Sequence, residues 1–268
     1  MAKSKHYYIR KAHRYLGLIL GIQFLLWTIG GLYFSWSNMD EVHGDFQKKP
    51  EPLLPANLPL VSPTVALNNI REIAGIDSLT SIQLIQILGK PYYQIRSMGA
   101  TGNNHSHDHS GHQKIFLVNA ETGQLRPALS EHEAVAVAKL RFNGNPKVAA
   151  VEYLTTTSRH HEYRESPLPA YAITFEHPSA TTVYVASEWG TVQKFRNNKW
   201  RTFDLLWMLH TMDYESRDNI SNILLRVFSV FGLVTVISGF VLYAISSKTL
   251  KNGFKKQGRL AINKVKIL

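Results

Sequence analysis

Apolar positions along this chain fall into three patterns, and each predicts a different kind of element. Two stretches are apolar throughout. Tyr15 to Trp36 runs for twenty-two residues without a formal charge. At about 1.5 Å per residue it makes a helix of about 33 Å, enough to cross a hydrocarbon layer about 30 Å thick. Ile223 to Ile245 is of similar length. Its single charge, Arg226, lies in the first turn, where a long side chain can reach the headgroups. Nothing between these runs is apolar for long enough to span. The first run is too long for the core of a cleaved signal peptide and no small-x-small site follows it, so a retained anchor is expected.

Between the spans, helical and alternating patterns take turns. Residues 37–61 form a linker whose end is crowded by Pro50, Pro52, Pro55 and Pro59. SPTVALNNIREIAG (62–75) has helical spacing behind a Ser-Pro start and leads into the β-rich runs 81–89, 90–97 and 115–125. SEHEAVAVAKLRFNG (130–144) repeats the helix, with Ser130 and Glu133 spaced as a capping box, and 148–156, 168–177 and 181–195 repeat the strands. Pro91 to Gly123 spans 32 residues and Pro169 to Gly190 spans 21; the excess of 11 equals GNNHSHDHSGH (102–112), which reads as an insertion into a hairpin of the first copy. The expected fold class is therefore α+β: two membrane helices flanking two copies (62–127 and 128–198) of a helix on an antiparallel sheet. Residues 199–222 are expected to lie along the membrane surface before the second span.

Charge then orients the picture. Residues 1–14 carry five Lys/Arg and residues 246–268 carry seven, with no acid in either tail, against a net charge of +11 for the whole chain. Residues 15–245 hold 18 basic and 19 acidic side chains. The high isoelectric point is thus a topology signal rather than a nucleic-acid footprint. Both tails are expected in the cytoplasm of a bacterial cell, the helices in its inner membrane, and the central domain outside. With no cysteine, thiolate and iron–sulfur chemistry are excluded.

The phrases GKPYYQIRS…IFLVNAETGQL and LPAYAITFEHPSATTVYVASEWGTV resemble PepSY repeats. HRYLGLILGIQFLLWTIGGLYFSW and LLWMLHTMDY…VFGLVTVISGFVLY resemble the PepSY-associated transmembrane helices that flank such repeats. The resemblance covers nearly the whole chain apart from the linker and tails. It implies an outer domain that binds or restrains a partner, such as a peptidase or envelope component. Four-helix relatives include ferrisiderophore reductases whose membrane histidines hold b-type haem. By that motif match, His13 and His210 are the implied haem ligands.

The residues themselves set conditions on that implication. Gly17 and Gly21 follow His13 at i+4 steps, and Ser229, Gly232, Val236 and Gly239 form a comparable stripe. Such stripes suit either a flat macrocycle or close helix packing. His13 and His210 lie at opposite membrane faces, about 30 Å apart by span length, so one chain cannot bring both to one iron. A homodimer would pair each histidine with its copy. The tails contain no flavin or nicotinamide fingerprint. His105, His107, His109 and His112 in the insertion suit Zn²⁺ or Cu²⁺, either as weak metal capture or as a solvated loop without a dedicated metal. Asp40, Glu41, His43 and Asp45, with His210, Asp213 and Asp218 as residues that could gather beside them, read first as a solvated acidic rim and second as a metal or proton site, and His160-His161-Glu162 as loop. No hydrolase or nucleotide-binding motif occurs. Three functions follow as expectations: a non-catalytic binding protein, a haem-b electron-transfer subunit, or an envelope metal-handling accessory.

Overall fold

The structure is a computed structural model that describes residues 5–74, 76, 78–98 and 113–247. It divides into two units, one formed by the chain up to Trp36 and from Asp204 onward, the other by Ser37–Phe203. The fold is mixed α+β, with two four-stranded antiparallel sheets and two helices long and apolar enough to cross a membrane.

Those two helices are α1 (Lys5–Trp36) and α6 (Ile223–Ser246). They run antiparallel. The pairs Trp27–Phe228, Phe24–Gly232 and His13–Gly239 step down one helix as they step up the other. Both α6 glycines serve this contact: a Cβ at Gly232 would stand 3.1 Å from the Phe24 ring, and one at Gly239 would stand 3.6 Å from His13 Cε1. Here the small residues make room for bulky α1 side chains, which is close helix packing. On α1, a Cβ at Gly17 or Gly21 would meet nothing within 4 Å. A further helix, α5 (Asn198–Thr211), brings Leu209 to α1, where Gln23 Nε2 donates to its carbonyl at 2.7 Å. Asn222 then starts α6, accepting from Leu225 N–H while its own amide donates to the Thr211 carbonyl.

In the other unit the same frame occurs twice. The first copy is α3 (Pro63–Ala74), β1 (Ser78–Ile87), β2 (Lys90–Met98), β3 (Gln113–Asn119) and β4 (Leu125–Arg126). The second is α4 (Glu131–Arg141), β5 (Val148–Leu154), β6 (Ala170–Phe175), β7 (Thr182–Ala186) and β8 (Thr191–Arg196). Each sheet is a simple meander in chain order. The hydrogen bonds repeat position by position. The Pro91 carbonyl accepts from Ala120 N–H as Pro169 accepts from Ser187, each at 3.0 Å. The Ala120 carbonyl accepts from Val61 N–H as Ser187 accepts from Leu129, each at 2.8 Å. Gly123 and Gly190 close equivalent turns at φ +72 to +74°, where a side chain would be strained.

Burial repeats as well. Ala66 and Ile70 of α3 match Ala134 and Ala138 of α4, all fully buried against their own sheets. The capping box at Ser130 forms as its spacing predicts. The α4 helix ends at Arg141, three residues short of the expected Gly144. Phe142 leaves helical geometry there (ψ 133°), is fully buried between Phe175 and Phe195, and makes a β-bridge with Lys48 of the linker. Burying that ring outweighs another helical hydrogen bond. The linker is also more ordered than its proline content predicts, with α2 (Met39–His43) capped by Asn38 and ended by Gly44 in the left-handed region.

Candidate functional site

Within the Ser37–Phe203 unit, the two copies meet across the face of the first sheet that α3 does not cover. Strand alternation puts Tyr93 and Ile95 toward α3, leaving Tyr92, Gln94 and Arg96 on the opposite face. Ile85, Ile87, Tyr92 and Leu117 of that face join α4 and the second sheet in one core. Gly190 sits so close to it that a Cβ would lie 2.4 Å from Ile87 Cδ1.

At the end of this core the packing opens into a cleft of about 540 Å³. One wall is Gln83–Gln86 of β1, the other is Thr191–Gln193 of β8, and Arg141, Trp189 and the linker at Glu51–Leu54 complete it. A second hollow of about 250 Å³ continues along β8 from Val192 to Arg196 and shares Arg141, with His43 and Lys48 opposite. The polar groups in the cleft are held in place. Gln94, almost fully buried, donates to the Trp189 carbonyl at 2.7 Å while its own carbonyl accepts from Arg96. The Arg96 guanidinium lies 4.6 Å from the Trp189 ring centre, a cation–π distance. Arg141 reaches Glu51 through Nη2 at 3.5 Å, whereas its Nη1 is buried with no hydrogen-bond partner among the described residues. Burying a guanidinium N–H unpaired is costly, so Arg141 is poised for an acceptor.

On the far face of the second sheet lies a different polar cluster. Glu162 accepts a two-pronged bond from Arg201 (2.7 and 2.9 Å) and one from the Tyr184 hydroxyl at 2.6 Å. Burial alone would raise the Glu162 carboxyl, but the bonds from Arg201 and Tyr184 and the charges of Arg201 and Arg196 outweigh it and hold it below the ordinary value. Burial also pushes the Tyr184 and Tyr163 hydroxyls well above theirs. This cluster closes on itself and is structural.

In the unit that holds α1 and α6, the sequence-predicted residues separate. His13 faces α6, its Nδ1 2.7 Å from Ser238 Oγ. His210 sits among Trp27, Phe34 and Trp207, with ring centres 5.8 to 6.3 Å away, and its buried Nδ1 has no hydrogen-bond partner among the described residues. His13 belongs to the first half of α1 and packs on α6, whereas His210 packs on Trp27 and Phe34 in the last third of α1, so the two do not converge. Each would offer a haem at most one imidazole nitrogen per chain: His210 has an unpartnered Nδ1 among the described residues, and His13 has the nitrogen not used by Ser238. Asp213, expected in an acidic rim, is instead a buried loop anchor. It accepts from the N–H groups of Glu215, Ser216 and Asn219 and from the Ser216 hydroxyl. Burial would raise its carboxyl, yet these bonds bring it down to about 2. His105, His107, His109 and His112 lie outside the described residues. Among the described residues no group of three or more His, Asp or Glu side chains gathers as a metal site.

Sequence reading did not single out Gln94, Arg96, Arg141 or Trp189. The signal present was Gln94 and Arg96 at alternating positions beside Tyr92 in a strand whose other face carries Tyr93 and Ile95, which marks a polar zone on a covered face. Comparison with protein-family models, with curated proteins and with solved structures finds no match to this chain.

Proposed function

We propose that this chain is a membrane-anchored binding protein of PepSY type. Its two spanning helices hold the paired repeats on the outer side of a bacterial inner membrane, with both basic tails in the cytoplasm, and the cleft between the repeats seats an envelope partner. One observation carries the reading: the cleft of about 540 Å³ is lined by Gln94 and Trp189, held together by a hydrogen bond, and by Arg141, whose buried Nη1 has no hydrogen-bond partner among the described residues. That volume lies within the range of ligand sites, about 300–1,000 Å³. The excess of basic residues in both tails supports the orientation. The test is in-cell photocrosslinking from Gln86 in the cleft, with Tyr153 as an exposed control outside it. A discrete adduct from Gln86 alone is expected. Equal labelling from both positions, or protease access to the domain only from the cytoplasmic side, would sink the reading.

A second reading is favoured by the buried, unpartnered Nδ1 of His210. In a homodimer, His210 and its copy would hold one b-type haem and His13 with its copy another, forming an electron path across the bilayer. When bound, haem supplies a one-electron couple. The protein's part is to offer the imidazoles and to keep water away with Trp27, Phe34 and Trp207. Protein purified in detergent after growth with haem supplied would show a Soret band, and His210→Ala would lose about half of the pyridine haemochrome signal. No Soret band in the wild type ends this reading.

A further inference from the structure

The way the cleft is lined says what kind of molecule fits it. A sheet face presents every second residue of a strand, because side chains alternate. Here the lining runs through consecutive residues instead: Gln83, Leu84, Ile85 and Gln86 on one wall, and Thr191 to Arg196 across the two hollows on the other. What faces the space is therefore the edge of each strand, its backbone donors and acceptors. Both β1 and β8 are outer strands with one hydrogen-bonded neighbour each, β2 and β7. The β8 edge is partly self-covered, since Gln193 Nε2 folds back onto the Thr191 carbonyl at 3.3 Å. An open edge of this kind is completed by an extended chain that adds as a further strand.

The charge around the edge selects among such chains. Arg96, Arg141, Lys48 and His43 flank the two hollows, and Glu51 is the one acid that lines them among the described residues. Glu51 is 81% exposed and only 3.5 Å from Arg141 Nη2, leaving Nη1 without a partner. Lys48 is matched locally by Asp45, an exposed pair of little energetic weight. Lys194 and Arg196 send their charged ends to the carbonyls of Arg164 and Glu162, so β8 contributes mainly its backbone edge. Two guanidinium groups, one stacked on Trp189 and one with an unused buried N–H, are suited to carboxylates.

We propose that β8 takes an extended acidic peptide segment as a fifth strand of the second sheet, with Asp or Glu side chains of the segment bound by Arg141 and Arg96. The proposal rests on the cleft being the partner's seat and names the partner's chemistry. The probe is a displayed library of random twelve-residue peptides, selected on the full chain in lipid nanodiscs against empty discs. Recovered peptides are expected to be enriched in Asp and Glu over the input. One of them should lose about tenfold or more in affinity against Arg141→Gln, as expected for loss of a charge-assisted hydrogen bond. Arg96→Gln should weaken it less, with the thermal midpoint of both variants checked for intact folding. Methylating alternate backbone nitrogens of the same peptide should abolish binding. Recovered peptides without acidic excess, or a methylated peptide that binds as well as its parent, would overturn the proposal while leaving the cleft as a partner site. Competition by anionic lipid in the discs would assign the groove to headgroups and overturn it too. No enrichment over empty discs, together with no Gln86 adduct in cells, would remove both readings.

Discussion

The two repeats share a backbone frame but expose it to different surroundings, and their differences lie where function can be built. Matching positions are 68 residues apart in the helices (Ala66 and Ala134), 78 apart at the second strands (Pro91 and Pro169), and 67 apart at the turns (Ala120 and Ser187). Each copy therefore carries its own extra segment. In the first it falls between β2 and β3, around the histidine-rich run. In the second it falls between β5 and β6, where Tyr163 and Glu162 cover the far face of the sheet. Tyr92, Gln94 and Arg96 of the first sheet correspond to Ala170, Ala172 and Thr174 of the second. The small residues accept their own copy's insertion, whereas the large polar ones meet the neighbouring copy and form the cleft. A duplicated frame holds its helix-side core nearly constant and diverges on the side away from the helix.

The largest test of this comparison is the shared helix position. Ile70→Ala, which makes α3 resemble α4 at Ala138, is expected to cost about 2–5 kcal/mol as a buried truncation. Denaturant titration of the full chain in detergent, followed by near-ultraviolet circular dichroism, reads it. A cost below 1 kcal/mol would mean that the helix of the first copy is not part of its core.

The turns separate the copies next. Gly190→Ala combines a left-handed backbone with a clash against Ile87 and is expected to cost about 2–4 kcal/mol. Gly123→Ala has the same backbone but meets Asn69 Nδ2 at 3.3 Å, a side-chain end that can move, and about 1–2 kcal/mol is expected. Equal costs would show that the contact between copies is loose at Gly190.

Glu162, present only in the second copy's insertion, should make stability depend on pH. Its folded carboxyl titrates below the ordinary value, so its contribution is complete above the unfolded-state value and is lost as pH falls through the folded one. Glu162→Gln should destabilise by about 1–2 kcal/mol at neutral pH, the lower part of the range for charged hydrogen bonds because Arg201 is partly exposed. The difference from wild type should begin to shrink as pH falls below the unfolded-state value, about 4.3, and vanish only below the folded one. A constant difference across pH would mean that the ion pair does not form.

The smallest effect compares equivalent tyrosines. The Tyr93 hydroxyl donates to the Val61 carbonyl at 2.7 Å, so Tyr93→Phe should cost about 0.5–1.5 kcal/mol. Tyr171, its counterpart, is only partly buried and packs on Tyr153. For Tyr171→Phe, less than 0.5 kcal/mol is expected on the same titration, as for an ordinary surface change. A larger loss at Tyr171 than at Tyr93 would reverse the assignment of which copy uses this ring for its helix-side anchor.

Much of the frame is legible in the sequence because it rests on local physics. The two apolar runs, the capping box at Ser130 and the two helix-then-strand successions follow from period and caps, whereas the run 181–195, expected as strand, is broken by the turn at Gly190 into β7 and β8. The linker is more than the extended segment its prolines predict, since α2 and the Lys48–Phe142 bridge depend on partners far along the chain. Of the candidate site, only the histidines have a sequence signature. Arg141 and Trp189 look like an ordinary helix-end base and turn aromatic, because nothing local says that they will share a cleft with β1.

What the sequence by itself determined is the set of elements and their repetition: hydrophobic period and turn chemistry act within a few residues and do not need the rest of the chain. Only the tertiary structure decided which faces meet. It put the α6 glycines beneath Phe24 and His13, kept His13 and His210 on separate contacts, and left the edges of β1 and β8 facing one cleft. Those outcomes depend on packing between residues distant in sequence, where burial and shape rather than local preference choose the partner.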